Sequence, residues 1–271
     1  MTIDRLRAHY GFSRLPFGKD LAPQMLFRHK GHAEATARIA WLVAERALGV
    51  VTGEVGAGKT VAARAVVAGL DATQHTVIYL ANPAVGSRGI YAHIVRSLGG
   101  TPAFLRASLI VQAAEALAQE EAERAKKVVF LLDEAHALAP DQLEELRFLT
   151  NAEMDSHSPF ACLLIGQPTL RRRLRLGAFA ALDQRIALRY HLGGMDLAET
   201  AGYVKHHLSL AGRSDPLFSD DAIALVHQTA RGIPRAINNL ATQSLVAAFA
   251  EGKGIVDESS ARAAVTEVTS D

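Results

Sequence analysis

The chain has 271 residues, of which 49% are hydrophobic and 21% charged, a globular composition that excludes disorder as the main state. Lysine plus arginine number 29 and aspartate plus glutamate 28, so the net charge of +1 does not draw in nucleic acid, and any such contact needs a local patch. A single cysteine, Cys162, excludes an intrachain disulfide and a multi-cysteine zinc site and fits a reducing compartment. No apolar leader follows Met1 and no run nears the roughly 18 apolar residues of a membrane span, so the expectation is a cytoplasmic protein with no membrane contact.

Residues 1–31 hold Pro16 and Pro23 and scatter Tyr10, Phe12, Phe17 and Phe27 without helical period, and they read as an irregular strap packed on the core. His32–Ala47 is Ala-rich and amphipathic, a helix. Gly49–Thr52 is a short strand entering a Gly-rich loop, and Thr60–Leu70 is helical. Thr76–Ala81 is a second strand. Ser108–Lys127 is a long helix with Ser108 at its N-cap, and the continuous apolar run Val128–Leu132 is a central strand. Asp141–Thr150 is a helix, and Phe160–Gly166 is a fourth strand followed by Gln167 and Pro168. After Tyr190 only helical patterns follow, over Leu197–Ala211, Asp220–Ala230, Ile233–Glu251 and a short stretch beyond Asp257. The expected fold is α/β, a parallel sheet sandwiched by helices over 32–193, with an all-helical lid over 194–271.

The run Gly53, Glu54, Val55, Gly56, Ala57, Gly58, Lys59, Thr60 matches G-x-x-x-x-G-K-[ST] in full, between a strand and a helix as the pattern requires. Its glycines let successive N–H groups face phosphate oxygens, Lys59 reaches the β and γ phosphates, and the Thr60 hydroxyl ligates Mg²⁺. Asp133 and Glu134 close the third strand, which places two carboxylates at the carboxyl edge of a parallel sheet. There Asp133 would hold Mg²⁺ and Glu134 would polarise the attacking water, so ATP and Mg²⁺ are the expected ligands.

Together with Leu131-Leu-Asp-Glu-Ala-His136, Leu164-Ile-Gly-Gln-Pro168, Asp183-Gln-Arg-Ile186 and Gly232-Ile-Pro-Arg235, these motifs give a chain that resembles the AAA+ ATPases. It is most similar to the ExeA/GspA-type ATPases and to transposition helpers of the TniB, TnsC and MuB kind. The resemblance spans nearly the whole chain and implies further roles. Asn82 is placed to engage the base Glu134, unless it serves only as a turn residue before Pro83. Gln167 looks like the first sensor, facing the γ-phosphate or the attacking water, although many members have Asn or Thr there. Arg235 resembles the second sensor of the lid. Arg185 looks like the finger offered to a neighbouring subunit's ATP, with Arg189 as the nearby substitute.

The Arg171–Arg175 cluster has no interleaved aromatic, and a nucleic-acid face and a solvated or intersubunit face compete for it. Arg88 and Arg96 fall in the 82–107 region, where DNA-bound relatives send loops into a ring or filament. His136, His206 and His207 have no metal-ligand spacing and read as packing or surface residues, and Cys162 reads as a buried, inert thiol.

The resemblance implies a homo-oligomer, a ring or a helical filament, that binds double-stranded DNA and assists a transposase. Secretion-type relatives continue into a membrane span and an envelope module, and ending after the lid favours the helper. The alternatives are the motor ATPase of a secretion or pilus assembly, and a nucleotide-gated interaction switch with little turnover.

Overall fold

The computed structural model describes residues 2–18, 20–150 and 158–269. The chain divides into two compact units, one of residues 32–54 and 59–192, the other of residues 1–31, 55–58 and 193–271.

The first unit holds five parallel strands: β1 (Leu48–Gly53), β2 (His75–Leu80), β3 (Lys127–Leu132), β4 (Phe160–Gly166) and β5 (Ile186–Leu192). Their order is β2-β3-β4-β1-β5. Burial follows that order. The inner strands β1 and β4 are buried at every residue and β3 at all but Lys127, because helices cover both faces, whereas the edge strand β5 alternates buried with more exposed residues. The alternation explains why β5 eludes a search for apolar runs: Arg189 and His191 interrupt it.

Helices of this unit are α2 (Lys30–Ala44), which starts in the linker before it, α3 (Lys59–Val67), α4 (Gly86–Ser97), α5 (Arg106–Arg124), α6 (Pro140–Leu149), α7 (Pro168–Leu174) and α8 (Ala180–Arg185). Helix α5 begins two residues before Ser108, with Leu105 at the N-cap, so Ser108 lies inside it and caps nothing. The 82–107 region is not a free loop. Its α4 sinks Ile90, Tyr91, Ile94 and Val95 into the sheet's core and leaves Arg88 and Arg96 exposed.

The second unit contains α1 (Ile3–Tyr10), α9 (Leu197–Leu210), α10 (Asp220–Ala230), α11 (Pro234–Ala250) and α12 (Glu258–Thr269). The N-terminal segment expected to be irregular therefore starts as a helix, stopped by Gly11 at φ 68°. Its Leu6, Tyr10, Phe12 and Phe17 share a buried cluster with Val204, Leu208, Phe218, Ile237 and Leu245 of the same unit. The Tyr10 hydroxyl donates to the Leu245 carbonyl at 3.2 Å, and the Phe17 ring stacks on His207 at 5.4 Å. Aromatic residues without helical period thus mark anchors in the helical unit. Among the described residues no helix is long and apolar enough to cross a membrane.

Candidate active site

The phosphate loop leaves β1 at Gly53 and enters α3 at Lys59. Gly56 and Gly58 have φ of 82° and 97°, values that glycine adopts without steric cost. At Gly56 there is a second reason for glycine: a Cβ would lie 2.4 Å from that of Arg235. Lys59 is 9% exposed, and its Nζ donates to the carbonyls of Gly53 and Glu54, each at 2.9 Å. Its ammonium is thus held at the loop by neutral carbonyls, which phosphate oxygens can replace because they add an opposite charge to the bond.

Asp133 sits one residue past β3, and its N–H continues the ladder to the Leu80 carbonyl at 2.9 Å. The carboxylate is buried, at 6% exposure, and three donors satisfy it. Thr60 Oγ1 reaches Oδ2 at 2.7 Å, the Tyr79 hydroxyl reaches the same oxygen at 3.0 Å, and the Glu134 N–H reaches Oδ1 at 2.9 Å. Burial, and then the Asp133 charge, push Tyr79 up to about 12, so its hydroxyl is a donor at neutral pH. Thr60 and Asp133 offer hard oxygen atoms at the start of a helix, a set that fits Mg²⁺, which takes one or two protein oxygens, substrate phosphates and retained waters.

Glu134 adopts a left-handed conformation with φ 51°, a strained choice for a residue with a side chain. The turn points consecutive carboxylates apart, Asp133 inward and Glu134 out to solvent, 3.3 Å from His136 Nδ1. The carbonyls just beyond are latched by Arg173, whose two terminal nitrogens donate to His136 and Leu138 at 2.7 Å each. Arg173 and Tyr79 are the members of the site that the sequence reading misses. Tyr79 is recognisable only from strand register, and Arg173 is hidden among four arginines that look alike in sequence.

Gln167 follows β4 directly and stands at the N-cap of α7, half-buried. Since Thr52 pairs with Gly166 and Leu132 with Leu164 in parallel register, the phosphate loop, Asp133 and Gln167 all emerge at one edge of the sheet. Asn82 closes its own turn instead, its Oδ1 accepting the Ala84 N–H at 2.9 Å, and does not bond Glu134. Arg185 ends α8 half-buried, within 3.5 Å of the Thr150 carbonyl. Arg189 is tied to Asp183 at 2.8 Å. In the second unit, Gly232 at φ 70° lets Met195 donate its N–H to the Gly232 carbonyl at 2.9 Å. Pro234 then opens α11, and the Arg235 N–H meets the Gly56 carbonyl of the phosphate loop at 3.3 Å.

Of the remaining arginines, Arg171, Arg172 and Arg175 are exposed, while Arg88 bonds the Ala103 carbonyl at 3.1 Å. His207 is buried against Tyr203 with ring centroids 4.4 Å apart, and His206 bonds the Met25 carbonyl at 2.8 Å. Both act in packing. Cys162 is fully buried, which pushes its thiol up and leaves it unreactive. Among the described residues no cluster of His, Cys, Asp and Glu could hold a metal of its own.

Comparison with known proteins places these motifs in context. Residues 43–174 match the family model described as "AAA domain". The chain is 35% identical over 247 residues to the "General secretion pathway protein A" of Aeromonas hydrophila, covering 90% of this chain and 45% of that protein. It therefore spans less than half of the curated relative it matches. Its fold is shared with Cdc6p from Pyrobaculum aerophilum at a TM-score of 0.70, 18% identity and coverage of 93% of this chain and 70% of that one. The Aeropyrum pernix ORC1 protein in complex with DNA gives 0.64 at 14% identity, covering 90% and 67%. Where the family model, the curated relative and the sheet order agree, they agree on one assignment: the chain carries an AAA domain over residues 43–174, in the fold shared by AAA+ ATPases.

Proposed function

We propose that the protein is the ATPase of a secretion-associated assembly, which converts Mg-ATP turnover at the phosphate loop into a change of shape passed to a client. The observation that carries this reading is the 35% identity running through 90% of the chain to a secretion-pathway protein. Chemically, Lys59 and the loop N–H groups bind and orient the β and γ phosphates. Thr60 and Asp133 would hold Mg²⁺, which would supply charge neutralisation at the phosphates. Glu134 takes the proton of the water that attacks the γ-phosphorus, and Gln167 orients that water. Arg235, beside Gly56, reports whether the γ-phosphate is present, and Arg185 completes the site of a neighbouring copy in a homo-oligomer.

A second reading, a DNA-bound helper of a transposase, draws on Arg171, Arg172 and Arg175. These three are exposed on and beside one short helix, and no carboxylate pairs with them among the described residues.

The two readings separate in the source strain and in solution. Replacing the gene with a Glu134→Gln allele is expected to block export or surface assembly and to leave transposition of a marked element intact. The converse result, together with ATP-dependent and salt-sensitive binding to duplexes of unrelated sequence, would replace the secretion reading with the helper.

A further inference from the structure

Tyr79 is the penultimate residue of β2, an edge strand, with 45% of its surface exposed. An aromatic ring so placed adds little to the core, and the hydroxyl is what the site uses. Register explains how it arrives there. Tyr79 pairs with Leu131, so Asp133, two residues further on and one past the end of β3, lies on the same face of the sheet, a diagonal of roughly 7–8 Å that an aromatic side chain spans. Both ends of the contact are fixed. The Tyr79 carbonyl is held by His93 Nε2 of α4 at 3.0 Å, and the Asp133 N–H is held by the Leu80 carbonyl at 2.9 Å.

Asp133 Oδ2 accepts two hydroxyls, from Thr60 at 2.7 Å and Tyr79 at 3.0 Å. Thr60 belongs to the metal-facing set, which leaves Tyr79 as the donor dedicated to orienting the carboxylate. We propose that Tyr79 is a positioning residue for Asp133, and that its hydroxyl sets how much Mg²⁺ the protein needs to bind ATP tightly. The assignment rests on the Mg-ATP reading of the site and is independent of the client.

The test is equilibrium binding without turnover. The full chain carrying Glu134→Gln, alone and with Tyr79→Phe added, is titrated with a fluorescent ATP analogue over a series of free Mg²⁺ concentrations. Loss of a hydrogen bond to a carboxylate is expected to raise the Mg²⁺ half-point about tenfold. Affinity measured in excess chelator stays within about twofold of the parent, since nothing that touches the phosphates has changed. Tyr79→Leu, which also removes the ring, should reproduce the shift. A half-point that stays put or falls in Tyr79→Phe overturns the proposal, and so does an equal loss of affinity without Mg²⁺. A defect confined to Tyr79→Leu assigns the ring to packing and overturns it as well. Should the parent itself bind nucleotide regardless of Mg²⁺, the Mg-ATP reading fails and the proposal with it, whereas a Mg²⁺-dependent parent with an unaltered Tyr79→Phe removes only the proposal.

Discussion

Asp133 and Glu134 are neighbours in sequence and opposites in environment, which separates their chemistry. Asp133 is buried and accepts three hydrogen bonds, so its orientation is fixed. Glu134 is turned outward by its left-handed backbone and reaches solvent. In the proposed mechanism Lys59 meets bound phosphate in the ground state, and Glu134 acts on water only as the reaction proceeds. Lys59→Ala is therefore expected to lose ATP binding. Glu134→Gln is expected to keep binding near the parent value while turnover falls by about 10²-fold or more, the scale of a lost general base. Equilibrium binding and phosphate release, measured side by side, check the pair, and parental turnover in Glu134→Gln would reassign the base.

Glycines around the site offer a second test at this scale. At Gly232, φ is 70° and a Cβ would lie 2.0 Å from the Met195 carbonyl oxygen, whereas at Gly254 nothing lies within 4 Å and φ is unremarkable. Gly232→Ala is expected to cost about 1–3 kcal/mol or more, and to disturb nucleotide binding because this turn starts the helix that carries Arg235. Gly254→Ala should be neutral. Thermal unfolding of both variants decides it.

At the scale of elements, strands that run apolar in sequence are legible and the charge-interrupted β5 is not. β3 and β4 stand out as apolar runs, but β5 alternates with Arg189 and His191, and its strand identity is settled by pairing with β1 from Leu48 to Gly53. Helix α1 was missed because its pattern is polar on most faces and only Leu6 and Tyr10 are buried. Such a helix is stabilised by docking rather than by propensity.

Docking also makes a pH prediction. His207 of α9 is 3% exposed between Phe17 and Tyr203. Burial, and then the nearby His206 and Arg14, lower it from the usual 6.5 to about 4. The folded state thus refuses a proton that the unfolded chain accepts. The resulting stability is complete above pH 6.5 and is lost as pH falls towards 4, up to about 3 kcal/mol across that window. The unfolding midpoint of the parent should drop over this range. His207→Leu, which keeps an apolar side chain of moderate size there, should flatten the drop. A variant as acid-sensitive as the parent would locate the effect elsewhere.

For the whole molecule, Lys59, Thr60, Asp133, Glu134 and Gln167 belong to one compact unit and Arg235 to the other. Arg185, at the end of α8, lies beyond the set that emerges with the phosphate loop at the sheet edge. If it serves a neighbouring copy, Arg185→Ala should lower turnover about 10²-fold or more, since such fingers carry large effects, with nucleotide binding to the monomer unchanged. Mixing it with Lys59→Ala should restore part of the activity, because each copy supplies what the other lacks. Mixed assemblies that show no recovery at any ratio would place Arg185 outside a shared site.

By itself the sequence determined the phosphate loop, the Asp133–Glu134 pair and the alternation of strands and helices, because each is a local rule: a loop that needs glycine, a strand that ends in acids, an apolar run bounded by polar residues. Tertiary structure alone decided the rest. That Tyr79 shares an oxygen with Thr60 depends on strand register, that Arg173 rather than Arg171 or Arg175 braces the turn after Glu134 depends on which face of α7 meets it, and that Asn82 closes its own turn depends on a short-range bond winning over a distant one. The aromatic residues of 1–31 likewise join the lid's core and not the sheet's. For Tyr79, Arg173 and the aromatic residues the physical reason is common: a side chain's partner is set by the burial and direction it acquires when distant segments pack, and spacing along the chain records neither.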